Sequence, residues 1–319
     1  MDQRPRKTAV ALLSVISNMT LTIVKLLVGF LSGSVSILSE AIHSAMDLLA
    51  ALIAFFSVQK SGLPADAKHP FGHGKIENIS GTVEALLIFV AAGWIIYEAI
   101  GRLLHPKPLE EFGWGVSVML LSAVLNTIVS SLLFKVGKET DSVALQADAW
   151  HLRTDVYTSV AVMLSLLLIW MGEKIFKGIH LDWLDPFAAI GVAVLIIKAA
   201  YDLTVRSARD LMDARLPEEE ETWIHQMIKG HGSDVHGFHD LRTRKAGGFR
   251  FVEFHMKVDP HMTVEDSHRI TDEIADQIEK HFPGTSVTIH TEPCDGSCDT
   301  KCLDGCLLPI KGDMNSTSK

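Results

Sequence analysis

Six apolar runs set the fold class of this chain. They cover residues 9–30, 35–58, 79–100, 114–134, 142–171 and 183–203. A bilayer core of ~30 Å is crossed by about 20 helical residues. Lipid offers no hydrogen bonds, so each crossing segment must satisfy its own backbone as a helix. The pattern predicts an α-helical membrane protein with six transmembrane helices. Composition agrees, because 48% hydrophobic residues and a mean hydropathy of +0.24 are too apolar for a soluble chain of 319 residues. The N-terminus, "MDQRPRK", is basic like a signal peptide. The run behind it is longer than a signal core and has no A-x-A-like cleavage site, so it reads as the first membrane helix.

Beyond residue 203 the chain turns charged. "PEEEETWIHQMIKG" reads as a helix, with Pro217 in its first turn and acidic residues suited to the dipole there. "VHGFHDLRTRKA" and "FRFVEFHMKV" read as strands parted by Gly247 and Gly248. "TVEDSHRITDEIADQIEKHF" reads as an amphipathic helix capped by Thr263 with Asp266, stopped at Pro283-Gly284, and "TSVTIHTE" as a last strand. The order αββαβ predicts a small α+β domain with helices on one face of a sheet. The expected division is 1–207 membrane domain, 208–292 soluble metal-binding and dimerisation domain, and 293–319 tail.

Lys and Arg at the helix ends give an orientation. One side receives Arg4, Arg6, Lys7, Lys60, Lys68, Lys75, Lys135, Lys138, Arg206, Arg209 and Arg215. The other receives Arg102, Lys107, Lys174 and Lys177. The richer side is predicted to be cytoplasmic, which places both termini and the soluble domain inside the cell, below an inner (plasma) membrane.

Ionisable residues inside the apolar runs point to function, because charge at membrane depth is costly and marks ion or proton pathways. The second run carries Glu40, His43 and Asp47, and the fifth carries Asp148, His151 and Asp155. Each holds an H-x-x-x-D pair on one helix face. Antiparallel packing sets His43 level with Asp155 and Asp47 level with His151. Two imidazoles and two carboxylates then converge in a set suited to tetrahedral Zn²⁺. Hard ions such as Mg²⁺ and Ca²⁺ prefer all-oxygen sets. Asp148 and Glu40, one turn to either side, read as entrance and exit carboxylates.

Two further clusters follow. The loop "PADAKHPFGHGKIE" places Asp66, His69 and His73 three and four residues apart, with Gly72 and Gly74 to let it turn. In the soluble domain, His239, His255 and His290 are placed to meet at a sheet edge, with His268 and Glu292 in the same domain.

Together, "SVSILSEAIHSAMD", "PADAKHPFGHGKIE", "ALQADAWHLRTDVYTS", "DLMDARLPEE", "HDLRTRKAG" and "TIHTEPC" resemble the cation diffusion facilitator family, nearest to its bacterial zinc and iron efflux members. The resemblance implies a homodimer with six spans and a cytoplasmic metallochaperone-like domain, exchanging a divalent metal for protons. It implies a transport site at His43, Asp47, His151 and Asp155, and a loop site at Asp66, His69 and His73. It also implies a binuclear cytoplasmic site at His239, His255, His268, His290 and Glu292, and a charge interlock between protomers at Lys75 and Asp213. Zn²⁺ is then the substrate and also a structural or regulatory ion, with no other cofactor. Many bacterial relatives have Asp where this chain has His43, and the two-His, two-Asp form is typical of zinc-selective members. The family usually has Asp at the position of Glu292.

The net charge of −9 gives no basic stripe for nucleic acid. No H-E-x-x-H-type motif supports an enzyme. The alternatives are broader Cd²⁺, Co²⁺ or Fe²⁺ specificity and a membrane metal sensor without net transport. All four cysteines, Cys294, Cys298, Cys302 and Cys306, lie in the tail at intervals of four, which suits either soft-metal capture or an unstructured thiol tail.

Overall fold

The computed structural model describes residues 4–32, 35–104, 114–175, 183–296 and 305–308. The chain divides into two compact units, Met1–Leu211 and Met212–Lys319.

The first unit is helical: α1 (Arg4–Ser32), α2 (Val35–Ser61), α3 (Lys75–Leu104), α4 (Trp114–Glu139), α5 (Val143–Ile175) and α6 (Leu184–Leu211). Five of them, α1 to α4 and α6, contain segments long and apolar enough to cross a membrane. α5 is the longest helix at 33 residues, and the most apolar part of its sequence, beyond residue 164, lies outside the described side chains over which that measure was taken.

The helices pack most extensively as α3 on α6, α1 on α2 and α4 on α5. Small residues allow this closeness, as expected where helices associate without a hydrophobic driving force. Ala85, Val143, Ala147 and Leu203 join α3, α5 and α6 in one cluster. At Gly81 a Cβ would lie 2.7 Å from Val143 Cγ1 and 3.0 Å from Ser207 Oγ, so no larger residue fits that crossing unchanged. Large apolar side chains such as Phe30, Val90 and Leu195 point outward, as a lipid-facing surface requires.

A polar knot ties one end of the bundle. The buried Glu77 carboxylate on α3 accepts hydrogen bonds from Ser61 Oγ (2.8 Å), Lys7 Nζ (3.2 Å) and Ser142 Oγ. It thereby links α1, α2, α3 and the turn that opens α5.

The second unit contains α7 (Glu218–Lys229), β1 (Gly237–Ala246), β2 (Phe249–Val258), α8 (Val264–His281) and β3 (Thr285–Pro293). The sheet order is β1-β2-β3, with β1 and β2 antiparallel and β2 and β3 parallel. The α+β order matches the sequence. Pro217 occupies the N-cap position of α7 instead of its first turn. Thr263 caps α8, accepting from Asp266 N at 3.1 Å while its hydroxyl donates to Asp266 Oδ2 at 2.6 Å. Ile224 and Ile228 of α7, Phe254 and Met256 of β2, and Ile270, Ile274 and Ile278 of α8 form the core. This unit therefore has a hydrophobic core of its own.

Of the tail, residues 305–308 lie against the β1 edge. Phe238 N donates to Gly305 O (3.1 Å) and Leu307 N to His236 O (2.9 Å). Cys294 and Cys306 are free thiols. Cys298 and Cys302 lie outside the described residues.

Candidate metal centres

Helices α2 and α5 bring the two H-x-x-x-D pairs together. His151 Nε2 lies 3.1 Å from Asp47 Oδ1, and His43 Nε2 lies 3.6 Å from Asp155 Oδ1 and 3.8 Å from Asp47 Oδ1. One donor atom each from His43, Asp47 and Asp155 falls within a 4.8 Å span. Asp47 is buried, whereas His43 opens onto a cavity of about 300 Å³ that Asp155 also lines. The four residues present two nitrogen and two carboxylate donors from opposite sides of one helix interface. A divalent cation there would satisfy carboxylates that are otherwise costly to bury. Asp148, one turn before His151, is fully buried. The Glu40 side chain lies outside the described ones.

The α2–α3 loop forms the second group. Asp66 Oδ1 accepts from the backbone N–H of His69 (2.7 Å) and of Lys68 (2.8 Å), and lies 3.2 Å from His69 Nδ1. Asp66 Oδ2 is 3.4 Å from His73 Nε2, and the two imidazole centroids are 4.3 Å apart. Gly72, at φ +80°, makes the turn that returns His73 toward Asp66. The backbone hydrogen bond from His69, helped by the one from Lys68 and by the imidazole, holds the Asp66 carboxyl below its ordinary range. Three donors within 4.8 Å form an open, exposed half-shell.

The sheet register builds the third group. His239 pairs with His255 across β1 and β2, and His255 with His290 across β2 and β3. The three imidazoles therefore stand in one row, with ring centroids 5.1 and 4.8 Å apart. Glu292, two residues after His290, shares its face. Its carboxylate reaches His255 Nδ1 (2.8 Å), Lys257 Nζ (3.2 Å), His239 Nε2 (3.3 Å) and His290 Nε2 (3.8 Å). Burial alone would raise the Glu292 carboxyl. Hydrogen bonds from His255 and Lys257, and the charge of those groups, outweigh burial and lower it.

One member of this group was not expected from the sequence. Asp240 joins His239 and His255 within 4.8 Å. Strand alternation would send it to the opposite face from His239. The backbone at Asp240 is left-handed (φ +49°), and the ladder shifts register between His239 and Arg242, so alternation fails there. His268, in contrast, is exposed on α8 with Nε2 3.6 Å from Asp272, and belongs to neither His group of the sheet. Lys75 Nζ donates to Leu211 O (3.4 Å), and Asp213 Oδ1 lies 3.5 Å from Arg244 Nη1; each contact stays within its own unit.

Known proteins carry the same two-part organisation. The family model for the cation efflux transmembrane domain matches residues 11–212, and that for the cation efflux protein cytoplasmic domain matches residues 216–294. The chain is 37% identical over 263 residues to an uncharacterised transporter of Synechocystis sp., covering 82% of this chain and 83% of that protein. It is 31% identical over 276 residues to the cation-efflux pump FieF of Citrobacter koseri, covering 86% of this chain and 88% of that protein. The metal-bound C-terminal domain of the CzcD transporter from Thermotoga maritima is 29% identical and covers 25% of this chain and 96% of that chain, with a TM-score of 0.23. The two family models and the identity to the cation-efflux relatives place the chain in the cation diffusion facilitator family, whose members are transporters, not enzymes.

Proposed function

We propose that this protein exports Zn²⁺ from the cytoplasm in exchange for protons. The observation that carries this reading is the meeting of His43, Asp47 and Asp155 around one point at the α2–α5 crossing, with His151 against Asp47 beside it. Two imidazoles with two carboxylates suit Zn²⁺ better than hard, all-oxygen ions. Imidazole binds metal only when neutral, so protons and Zn²⁺ compete for the same atoms. That competition couples the two fluxes.

In this reading α5 is the sixth span. The bias of Lys and Arg puts both termini on the cytoplasmic side of the inner membrane. The second unit joins two protomers into a homodimer. His268 fits this arrangement as a ligand completed across the dimer, since within one chain it stands apart from the sheet cluster. The Lys75–Asp213 interlock likewise belongs to the dimer.

The loop and sheet groups take Zn²⁺ as regulatory or structural ions. Their donor chemistry fits, because each gathers imidazole and carboxylate atoms within bonding reach of one ion.

Zinc uptake into inside-out vesicles tests the reading against a sensor without transport. A transporter accumulates zinc in proportion to protein, and the Asp47→Ala variant does not. A panel of Cd²⁺, Co²⁺ and Fe²⁺ in the same assay ranks the metals.

A further inference from the structure

The end of the tail returns to the sheet on the β1 edge that faces away from β2. Cys306 pairs with Gly237 in the antiparallel sense, Phe238 N donates to Gly305 O at 3.1 Å, and Leu307 N donates to His236 O at 2.9 Å. Leu307 also packs against the core of the second unit. The fit is close. A Cβ on Gly305 would lie 1.6 Å from Phe238 O, so only glycine makes this contact. Edge-strand amides and carbonyls otherwise face water or another chain. Here the chain's own tail takes them.

The contact stops where the sheet metal group starts. His239 directly follows Phe238, and past His239 the β1–β2 ladder shifts register at the left-handed Asp240. His239 therefore sits between the tail contact and the irregular stretch. Its Nε2 lies 3.3 Å from Glu292, itself a member of the group. Its buried Nδ1 has no hydrogen-bond partner among the described residues. A metal-binding imidazole is ordinarily aimed by a hydrogen bond from its second nitrogen. Without that bond, the aim of His239 depends on its backbone, and the tail holds that backbone from the outer side. Gly305 also lines one cavity together with His239 and Asp240.

We propose that residues 305–307 are a strap that fixes the position of His239 and thereby sets the metal affinity of the sheet group. The strap supplies no ligand atom and acts only by positioning. The coupling is reciprocal, so metal on the sheet group also tightens the strap. The inference rests on the reading of His239, His255, His290 and Glu292 as a zinc site.

The experiment uses fragment 212–319, which contains the whole core of the second unit. Cys294→Ser, Cys298→Ser, Cys302→Ser and Cys306→Ser are present throughout, so that thiols bind no zinc while the strap's backbone bonds remain. This parent is compared with Gly305→Val and with a truncation after Asp304. Zinc affinity is read by chelator competition at neutral pH, and metal-free stability by chemical denaturation. Both strap variants are expected to stay folded and to bind zinc about tenfold more weakly. In the parent, zinc is expected to slow hydrogen exchange at the Phe238 and Leu307 amides. Parental zinc affinity in both variants overturns the proposal, even if metal-free stability falls, because the tail would then serve the fold alone. So does a parent-like Gly305→Val beside a weakened truncation, which would place the effect elsewhere in the tail. Unfolding of both variants, or exchange at Phe238 and Leu307 indifferent to zinc, also overturns it. If the parent fragment binds no zinc, the reading of the sheet group fails with the inference, whereas zinc binding in the parent with insensitive variants removes this inference alone.

Discussion

His151 Nε2 stands 3.1 Å from Asp47 Oδ1, although the two residues are 104 positions apart in sequence and on different helices. The contact fixes α2 against α5 and sets one imidazole and one carboxylate side by side. His43 and Asp155 repeat the pairing in the opposite sense at 3.6 Å. This pseudo-symmetric crossing is the structural basis of the proposed transport site.

Removing any of the four donors is expected to abolish transport. His43→Ala, Asp47→Ala, His151→Ala and Asp155→Ala each take one ligand away and leave the remaining groups uncompensated in a poorly solvated site. Zinc flux in proteoliposomes, with expression checked by size-exclusion profile, reads the effect. Parental flux in any two well-assembled variants would dismiss the assignment.

His43→Asp is expected to preserve transport while broadening it toward Cd²⁺, Fe²⁺ or Mn²⁺. His43 is the most exposed of the four to the cavity, so a carboxylate there is the substitution the site tolerates best. Replacing imidazole with carboxylate makes the donor set harder. A metal panel in the flux assay would show this, and an unaltered metal ranking would exclude His43 as a selectivity residue.

Much of this site was legible because charge inside an apolar run has few explanations, and the i,i+4 spacing of His43–Asp47 and His151–Asp155 fixes their faces. The row of His239, His255 and His290 was legible only as a set, because strand register decides whether such residues align. Asp240 was hidden by a local failure of alternation at a left-handed residue.

The Glu77 knot is expected to matter for stability. Lys7→Ala leaves the buried carboxylate without its ammonium partner, at a cost of about 3 kcal/mol. Ser61 and Ser142 still donate to it and soften the loss. Thermal unfolding in detergent should show a lower midpoint for Lys7→Ala and a partial recovery in Lys7→Ala combined with Glu77→Gln. Equal midpoints for the parent and Lys7→Ala would rule out a stabilising role for the pair.

Glu292 links the second unit's stability to pH. Its folded-state carboxyl is lowered, so its contribution is fully present above the unfolded value, about 4.3. That contribution is lost as pH falls through the lowered folded value. In metal-free fragment 212–308, Glu292→Gln is expected to reduce stability at neutral pH, with the deficit shrinking below about pH 4. Chemical denaturation at the two pH values measures it. A deficit that is constant across them would remove the carboxylate as its cause.

Glu292 also joins the imidazoles, so the same fragment should bind zinc and gain stability in proportion to ligand concentration. His255→Ala, which removes the central imidazole of the row, is expected to weaken binding by at least about tenfold. Calorimetry at neutral pH gives the answer, and unchanged binding would take His255 out of the ligand set.

The central claim is that zinc and protons move in opposite directions through one site. The direct measurement uses proteoliposomes of the full chain carrying a zinc dye and a pH dye together, with an imposed pH gradient. The account predicts zinc movement matched by protons in the opposite sense, accelerated when the gradient is acidic on the side to which zinc is delivered, and lost for both ions in Asp47→Ala. Zinc flux without proton movement, or flux indifferent to collapse of the gradient, would contradict it.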